Sequence, residues 1–382
     1  EPMNNTQDIL DKLGGSKIYS KFDLTKGYYA IPVEEESKKY TCFTTFRGKY
    51  NFRVLPFGLS SAPMVFSRMM RQMLGNESNL DNYLDDVLAY NENFSEHIKK
   101  IRIFFEKVRA ANLAIKPSKT QIGYEGLEFL GHRVEEDCRT PSPALLNKIF
   151  EASRPTTKTQ VKAYLGLTGF YQNYIPHYAS ISTPLTDLLK KSLPTKVNWG
   201  EAQEQAFQTL KQKLLDKPIL KLPCTDRPFV LRTDACGYGI AAMILQQHGD
   251  MLFPVTFASK KLSDRERKYH ISCLEALAIV FGCQKFSRYL YGRKFILETD
   301  HKPLTILKGA DSTNPRLMRY ALQLQPFDFV IKVIPGDENF GADFFSRHLK
   351  VSEDFAQIIE NDSNSDLNRA KGKCDDLNPY LQ

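Results

Sequence analysis

The sequence has no long apolar run. Its most hydrophobic stretch lies around Leu274–Cys283, far short of the roughly 20 residues a helix needs to span a bilayer. No membrane partner is therefore expected. No secretory leader is seen, so nothing points to export. Cysteine is scarce: there are seven, an odd number without a CxxC pair. That excludes a disulfide scaffold or a zinc ribbon as the organising principle and fits a reduced, intracellular setting. There is no internal repeat. The first residue is Glu1 rather than Met, as expected of a chain cut from a longer product.

What is present is a globular composition: 382 residues, 42% hydrophobic and 25% charged, too long for one ordinary domain. The net charge of +8 is unevenly spread. Residues 351–382 carry a net −4, which leaves +12 on residues 1–350. A basic body suggests a polyanionic partner. The tail after Leu349, polar and acidic, reads as disordered.

Ile18–Asp23 reads as a strand leading into a turn at Lys26-Gly27, and Ser61–Leu74 as a helix with Pro63 near its start. Asn79–Tyr90 alternates like a hairpin with Asp85 and Asp86 at its tip. Ile98, Ile101, Phe105 and Val108 recur at helical spacing, which predicts a helix over Ser95–Leu113 with Ser95 as N-cap. Pro141–Lys191 reads as helical pieces separated by Pro155, Pro176 and Pro184, with a further helix over Glu201–Leu215. The Pro- and charge-rich stretch Lys217–Pro228 has the composition of a boundary. Beyond it, strands are predicted at Phe229–Asp234, Gly239–Gln246 and Phe253–Ser259. A helix over Arg265–Phe286, strands at Lys294–Asp300 and Phe327–Ile334, and a short helix near Asn339–Ser346 complete the series. The fold class is α/β.

Two sets of acids carry the chemistry. Asp85 and Asp86 sit between apolar strand sequences, and Asp23 closes an earlier strand. An Asp-Asp pair alone is an ordinary polar turn. If sheet pairing joins all three, however, their repulsion calls for cations, because unpaired buried charges are heavily disfavoured. Hard oxygen ligands favour Mg²⁺, and two ions about 3.5–4 Å apart suit in-line phosphoryl transfer. The second set is Asp234, Glu275, Asp300 and Asp343. Any one of them could be an exposed acid. Yet Asp234 and Asp300 end apolar strands, as Phe-Val-Leu-Arg-Thr-Asp and Phe-Ile-Leu-Glu-Thr-Asp, and Glu275 interrupts an apolar helix. Buried carboxylates without a basic partner in sequence again point to metal.

The phrases Phe22-Asp23-Leu24-Thr25-Lys26-Gly27-Tyr28, Leu55-Pro56-Phe57-Gly58-Leu59-Ser60-Ser61-Ala62-Pro63 and Tyr83-Leu84-Asp85-Asp86 share an order and spacing with a known family. They resemble reverse transcriptases of gypsy-type LTR retrotransposons. Thr233-Asp234-Ala235, Phe257-Ala258-Ser259-Lys260-Lys261-Leu262, Tyr289-Leu290-Tyr291-Gly292, Thr299-Asp300-His301-Lys302-Pro303-Leu304 and Ala342-Asp343-Phe344-Phe345-Ser346-Arg347 resemble the ribonuclease H domain of the same elements. The resemblance implies an α+β palm of right-hand polymerase type with partial fingers in 1–133 and a helical thumb with linker in 134–222. A mixed α/β ribonuclease H-like domain in 223–348 and an acidic tail in 349–382 follow.

The implied activity is RNA-directed DNA polymerase with ribonuclease H, each centre using two Mg²⁺ or Mn²⁺ ions. Asp23, Asp85 and Asp86 are the implied polymerase ligands, and Asp234, Glu275, Asp300 and Asp343 the hydrolytic ones. Tyr28 is implied to wall off a ribose 2′-hydroxyl. Phe57 and Gly58 form the loop beneath the nucleotide, Tyr83 lines the site, and Gly131, in Phe129-Leu130-Gly131-His132, grips the primer end. Lys119 is either the proton donor to leaving pyrophosphate or a solvated lysine, and His301 either assists hydrolysis or is structural. The loop Pro335–Asn339 lacks the histidine that some relatives carry there. Tyr164, Phe170, Tyr171 and Tyr174 read as helix core rather than base-stacking groups.

Implied partners are an RNA template, a DNA primer, RNA–DNA hybrids, deoxynucleoside triphosphates and, as an open alternative to a monomer, a second copy in a homodimer. The implied location is cytoplasmic, within virus-like particles of the element. A decayed or domesticated remnant that binds hybrids, with ribonuclease activity only or none, is the competing reading, and retention of all seven acids argues against it. Neither an integrase zinc module nor a protease signature is seen. Because fingers in this family begin upstream of the segment matched by Glu1–Lys17, the chain as it stands is expected to cleave hybrids well and extend primers poorly.

Overall fold

The computed structural model describes residues 5–216, 218–248, 251–300 and 314–334. They form two compact units, one ending at Asp137 and the other beginning at Cys138, and both mix helices with strands as the α/β class requires. Asp343, His301, the Pro335–Asn339 loop, the helix predicted near Asn339–Ser346 and the acidic tail lie outside the described residues.

The first unit is organised around the strand Ile18–Thr25. It runs antiparallel to Asp86–Asn91, which pairs in turn with Leu80–Tyr83. Ala114–Ile115 and Gln121–Tyr124 also pair with the central strand. Side chains alternate across a strand, so Phe22 and Leu24 are buried with Val87 and Ala89, while Lys21 and Asp23 are only half-buried. The helices Ala62–Leu74 and Phe94–Ala110 close this core with Phe66, Met70, Leu74, Ile101, Phe104 and Val108. Each such side chain contributes roughly 1.5–3 kcal/mol by leaving water.

Two predicted boundaries shift for identifiable reasons. Asn93, not Ser95, occupies the N-cap position of the second helix, with extended backbone that accepts the His97 N–H through its carbonyl. The helix stops at Ala110 rather than Leu113 because Asn112 turns left-handed at φ 53. The Leu113 N–H then bonds the Val108 carbonyl and the Asn112 N–H bonds Arg109, the pattern of a Schellman C-cap.

The second unit holds a five-stranded sheet in the order Met251–Lys261, Gly239–His248, Phe229–Ala235, Lys294–Thr299, Asp328–Val333. The first three strands are antiparallel neighbours, and the last two join in parallel. One face packs against the helix Ile271–Lys285 through Leu231, Ala242, Ile244, Ala276 and Ile279. Val230, Met243, Leu245 and Phe257 pack instead against Leu146, Val161, Tyr164, Phe207 and Leu210 of the helices Pro143–Phe150, Lys158–Phe170 and Glu201–Leu215. A sheet covered on both faces explains the near-continuous apolar strands. The helices before Lys217–Pro228 and the sheet after it thus share one core.

Tyr164, Tyr171 and Tyr174 are buried in that core, whereas Phe170 is exposed. The helix predicted from Arg265 begins only at Ile271: Glu266–Lys268 forms a 3₁₀ turn, and the His270 side chain caps the helix by accepting the Ser272 N–H. Pro315–Leu324 is a helix that the sequence reading did not propose, although Asn314 as cap and Pro315 at its first position are standard start signals. Among the described residues no helix is long and apolar enough to cross a membrane.

Candidate active sites

In the first unit, register rather than a loop assembles the acids. Asp23 lies directly opposite Asp86 in the antiparallel pair. Asp86 also pairs with Tyr83, so Asp86 already belongs to the strand and the hairpin tip is Leu84-Asp85, one residue earlier than the Asp85-Asp86 tip expected from sequence. Leu84 adopts φ 54, a conformation that disfavours a side-chain-bearing residue by about 1–2 kcal/mol. The Asp85 carbonyl accepts the Leu24 N–H at 3.1 Å, which ties the tip to the Asp23 strand.

Two lysines face these carboxylates. Lys119 Nζ donates to Asp23 Oδ2 at 2.9 Å, and Lys21 Nζ lies 3.2 Å from Asp86 Oδ1. Burial raises the Asp86 carboxyl above its ordinary range; Lys21 opposes this, while Asp85 and Asp23 add to it. The Asp23 carboxylate in turn raises the Lys119 ammonium. Lys119 is thus ion-paired to the acid cluster while its side chain stays 58% exposed. Lys21 was missed by sequence reading. Its signal was available, since residues two apart on a strand share a face.

Tyr28 stands beside the cluster in the turn Gly27–Ala30. Its ring stacks on Phe66 with centroids 4.8 Å apart and meets Phe57 at 5.1 Å. Burial and the nearby Asp85 charge push its phenol upward. Gly27 has no alternative here: a Cβ would lie 2.6 Å from the Phe66 ring. Phe57 and Gly58 are exposed and Tyr83 is half-buried. Leu130 and Gly131, at φ 48 and 79, form a two-residue turn between paired Phe129 and His132; positive φ at both central residues is what a tight hairpin of this type needs.

In the second unit, Asp234 lies in the strand Phe229–Ala235, and Asp300 follows the parallel strand Lys294–Thr299. The register Val230–Ile296, Leu231–Leu297, Arg232–Glu298 brings the two acids to the same end of the sheet. Glu275 reaches that end from the helix. It is 5% exposed, and one carboxylate oxygen, Oε2, is buried without a hydrogen-bond partner. Burial, then Asp234 and Asp300, push its carboxyl up to about 8. Asp234 is raised as well, by burial and Asp300, against the opposing influence of His177 and the Ala235 N–H.

His177 Nε2 stands 3.9 Å from Asp234 Oδ2. Burial lowers this imidazole, and Asp234 opposes the shift. No sequence signal links two residues so far apart in the chain, so this imidazole neighbour of Asp234 appears only in the fold. Among the described residues, no three His, Cys, Asp or Glu side chains are grouped closely enough to hold a metal ion as they stand. The buried Glu275 oxygen and the converging carboxylates do fit divalent cations, whose hard character matches oxygen donors.

Residues 1–134 match the family described as reverse transcriptase (RNA-dependent DNA polymerase), and residues 199–297 match the RNase H-like domain found in reverse transcriptase. The retrovirus-related Pol polyprotein from transposon 297 of Drosophila melanogaster is 37% identical over 355 residues, covering 92% of this chain and 33% of that protein. The corresponding polyprotein from transposon opus, from the same organism, is 33% identical, covering 91% and 36%. The transposon Tf2-3 polyprotein of Schizosaccharomyces pombe is 31% identical, covering 96% and 28%.

The chain thus spans about a third of the length of the curated relatives it matches. Among solved structures, the foamy viral protease-reverse transcriptase in complex with RNA/DNA hybrid aligns with a TM-score of 0.76 at 20% identity, covering 89% of this chain and 47% of that one. A form in complex with double-stranded DNA aligns at 0.79 and 20%, covering 87% and 60%. The chain belongs to the reverse transcriptase family of retrotransposon Pol polyproteins, with the RNase H-like domain following the polymerase domain.

Proposed function

We propose that this chain polymerises DNA on an RNA template at the first site and hydrolyses the RNA strand of RNA–DNA hybrids at the second. The observation that carries the reading is that strand pairing gathers each acid cluster: Asp23 opposite Asp86 in one unit, and in the other Asp234 and Asp300 each two residues beyond the registered pair Arg232–Glu298. Asp23, Asp85 and Asp86 would hold divalent cations at the first site, and Asp234, Glu275 and Asp300 at the second, joined by Asp343 on the strength of sequence alone. Bound Mg²⁺ or Mn²⁺ supplies charge stabilisation to the transferring phosphate and activates the attacking oxygen.

The protein's own groups do the rest. Lys119, held beside Asp23, is placed to give a proton to departing pyrophosphate. Tyr28, braced by Phe66, presents a rigid ring where a ribose 2′-hydroxyl would have to fit. At the second site Glu275, kept protonated by burial, would lose its proton to solvent when it serves as a ligand. The substrates on this reading are deoxynucleoside triphosphates, primed RNA and RNA–DNA hybrid, the last being what the foamy viral relative holds. The setting proposed is the cytoplasmic particle of the element.

The test runs a labelled RNA–DNA hybrid and a primed RNA template with Mg²⁺ or with chelator. Asp234→Asn or Asp300→Asn should abolish cleavage and leave extension, and Asp85→Asn with Asp86→Asn should do the reverse. Hybrid binding should persist in all of them and weaken steeply with salt, because affinity comes mainly from basic contacts to phosphate. An Asp234→Asn chain that cleaves like its parent would sink the assignment of the second site.

A further inference from the structure

His177 is delivered to the second site by a segment that sequence assigns to the upstream helical region. It holds φ 55 and ψ 26 immediately before the short helix Tyr178–Ile181. Few residues other than glycine adopt this left-handed conformation, and it persists only where the surroundings over-determine it. Here they do. The His177 carbonyl accepts the N–H groups of Ser180 and Ile181. The Ala179 N–H donates to Ser259 Oγ at 2.8 Å, and Lys261 Nζ donates to Asp187 at 2.9 Å. Ser180 Oγ lies 3.7 Å from Cys236 Sγ, two residues beyond Asp234. Gly239 leaves the room for this approach: a Cβ there would stand 2.5 Å from Ser180 Oγ.

We propose that His177 is a positioning residue of the hydrolytic site, an inference that rests on the hydrolytic reading of Asp234, Glu275 and Asp300. With its backbone locked, the imidazole faces one oxygen of Asp234 and limits the swing of that carboxylate. A carboxylate ligand steadied from outside binds its metal more tightly than a freely rotating one, and loss of such an outer partner typically weakens metal binding or activity about 10–100-fold. The ribonuclease centre is on this view built from two stretches of chain, one on either side of Lys217–Pro228.

The test uses the full chain with Asp85→Asn and Asp86→Asn, so that only the second site is left to bind metal, and Mn²⁺ as probe. His177→Asn retains a residue that tolerates left-handed backbone but is too short to reach Asp234; His177→Gln keeps a donor at greater reach. His177→Asn should lower Mn²⁺ affinity about tenfold, read by calorimetry or by the free-Mn²⁺ spin signal, and His177→Gln should recover most of the loss. In the polymerase-intact chain His177→Asn should lower kcat for hybrid cleavage with KM little changed. Thermal unfolding of both variants should match the parent. Undiminished Mn²⁺ affinity in a folded His177→Asn chain, or an equal loss in His177→Gln, would overturn the positioning role. Undiminished Mn²⁺ binding in Asp234→Asn would instead overturn the hydrolytic reading itself, whatever His177 does.

Discussion

Adding a divalent cation to the second site should eject a proton, because one of the acids that would bind it is held protonated by burial. Glu275 is buried beside Asp234 and Asp300, and its carboxyl is pushed up to about 8. At pH 7 about nine-tenths of the Glu275 population is then protonated, and ionising it at that pH is unfavourable by about 1 kcal/mol. A metal ligand must be deprotonated to coordinate, so binding at pH 7 should release about 0.9 proton from this residue, falling to about 0.5 at pH 8 and about 0.1 at pH 9. Apparent affinity should rise about tenfold from pH 6 to 7 and level off above pH 8. Calorimetric titration with Mn²⁺ in buffers of different ionisation heat reads the proton count as a slope. With Asp85→Asn and Asp86→Asn in place, Asp86, which is also raised, contributes nothing. Glu275→Gln should remove most of the release. A slope near zero at pH 7 in the parent, or an unchanged slope in Glu275→Gln, would refute the reasoning.

Tyr28→Ala should let the polymerase incorporate ribonucleotides that the parent refuses, read by primer extension; an active variant with no such gain would remove Tyr28 from the sugar site. Gly27→Ala puts a methyl group 2.6 Å from the buried, stacked Phe66 ring, and should destabilise the chain by about 1–3 kcal/mol in denaturant titrations. His97 is fully buried between Ser20 Oγ at 2.7 Å and Asn91 Oδ1 at 2.9 Å, and burial lowers it to about 4. Its unfolded form, near 6.5, takes up a proton first as pH falls, so up to about 3 kcal/mol of stability should drain away between pH 6.5 and 4 and none above pH 7. Urea titrations of parent and His97→Gln across that range should differ in slope by this amount; parallel curves would refute it.

How much of this was legible in the sequence depends on the distance over which each contact acts. The strand Ile18–Thr25, the hairpin carrying Asp85 and the helix Glu201–Leu215 follow from local period and turn chemistry, and the structure places them close to where the sequence does. The Schellman turn at Asn112 and the His270 cap were carried by single residues whose capping competes with helix continuation, so those boundaries slipped. Glu275 was legible as a charge out of place on an apolar helix. His177 was not: nothing near Pro176 or Tyr178 encodes a neighbour on a strand that starts at Phe229. Lys119 lay between the two cases. Its role as a partner of Asp23 needed the Gln121–Tyr124 strand to fold back beside Ile18–Thr25.

The core shared by the helices of 143–215 and the sheet from Phe229 onward has a consequence for synthesis and processing. Translation delivers Leu146, Val161, Tyr164, Phe207 and Leu210 before any of the strands that cover them. Those helices must wait, with apolar faces in water, until the ribosome has released the chain through Phe257. During that interval a chaperone or a neighbouring nascent chain has something to grip. A protease that cuts a polyprotein at domain joints would gain little from the Pro- and charge-rich stretch Lys217–Pro228: the nicked halves would stay clasped along their apolar faces, and dissociation would leave both sticky.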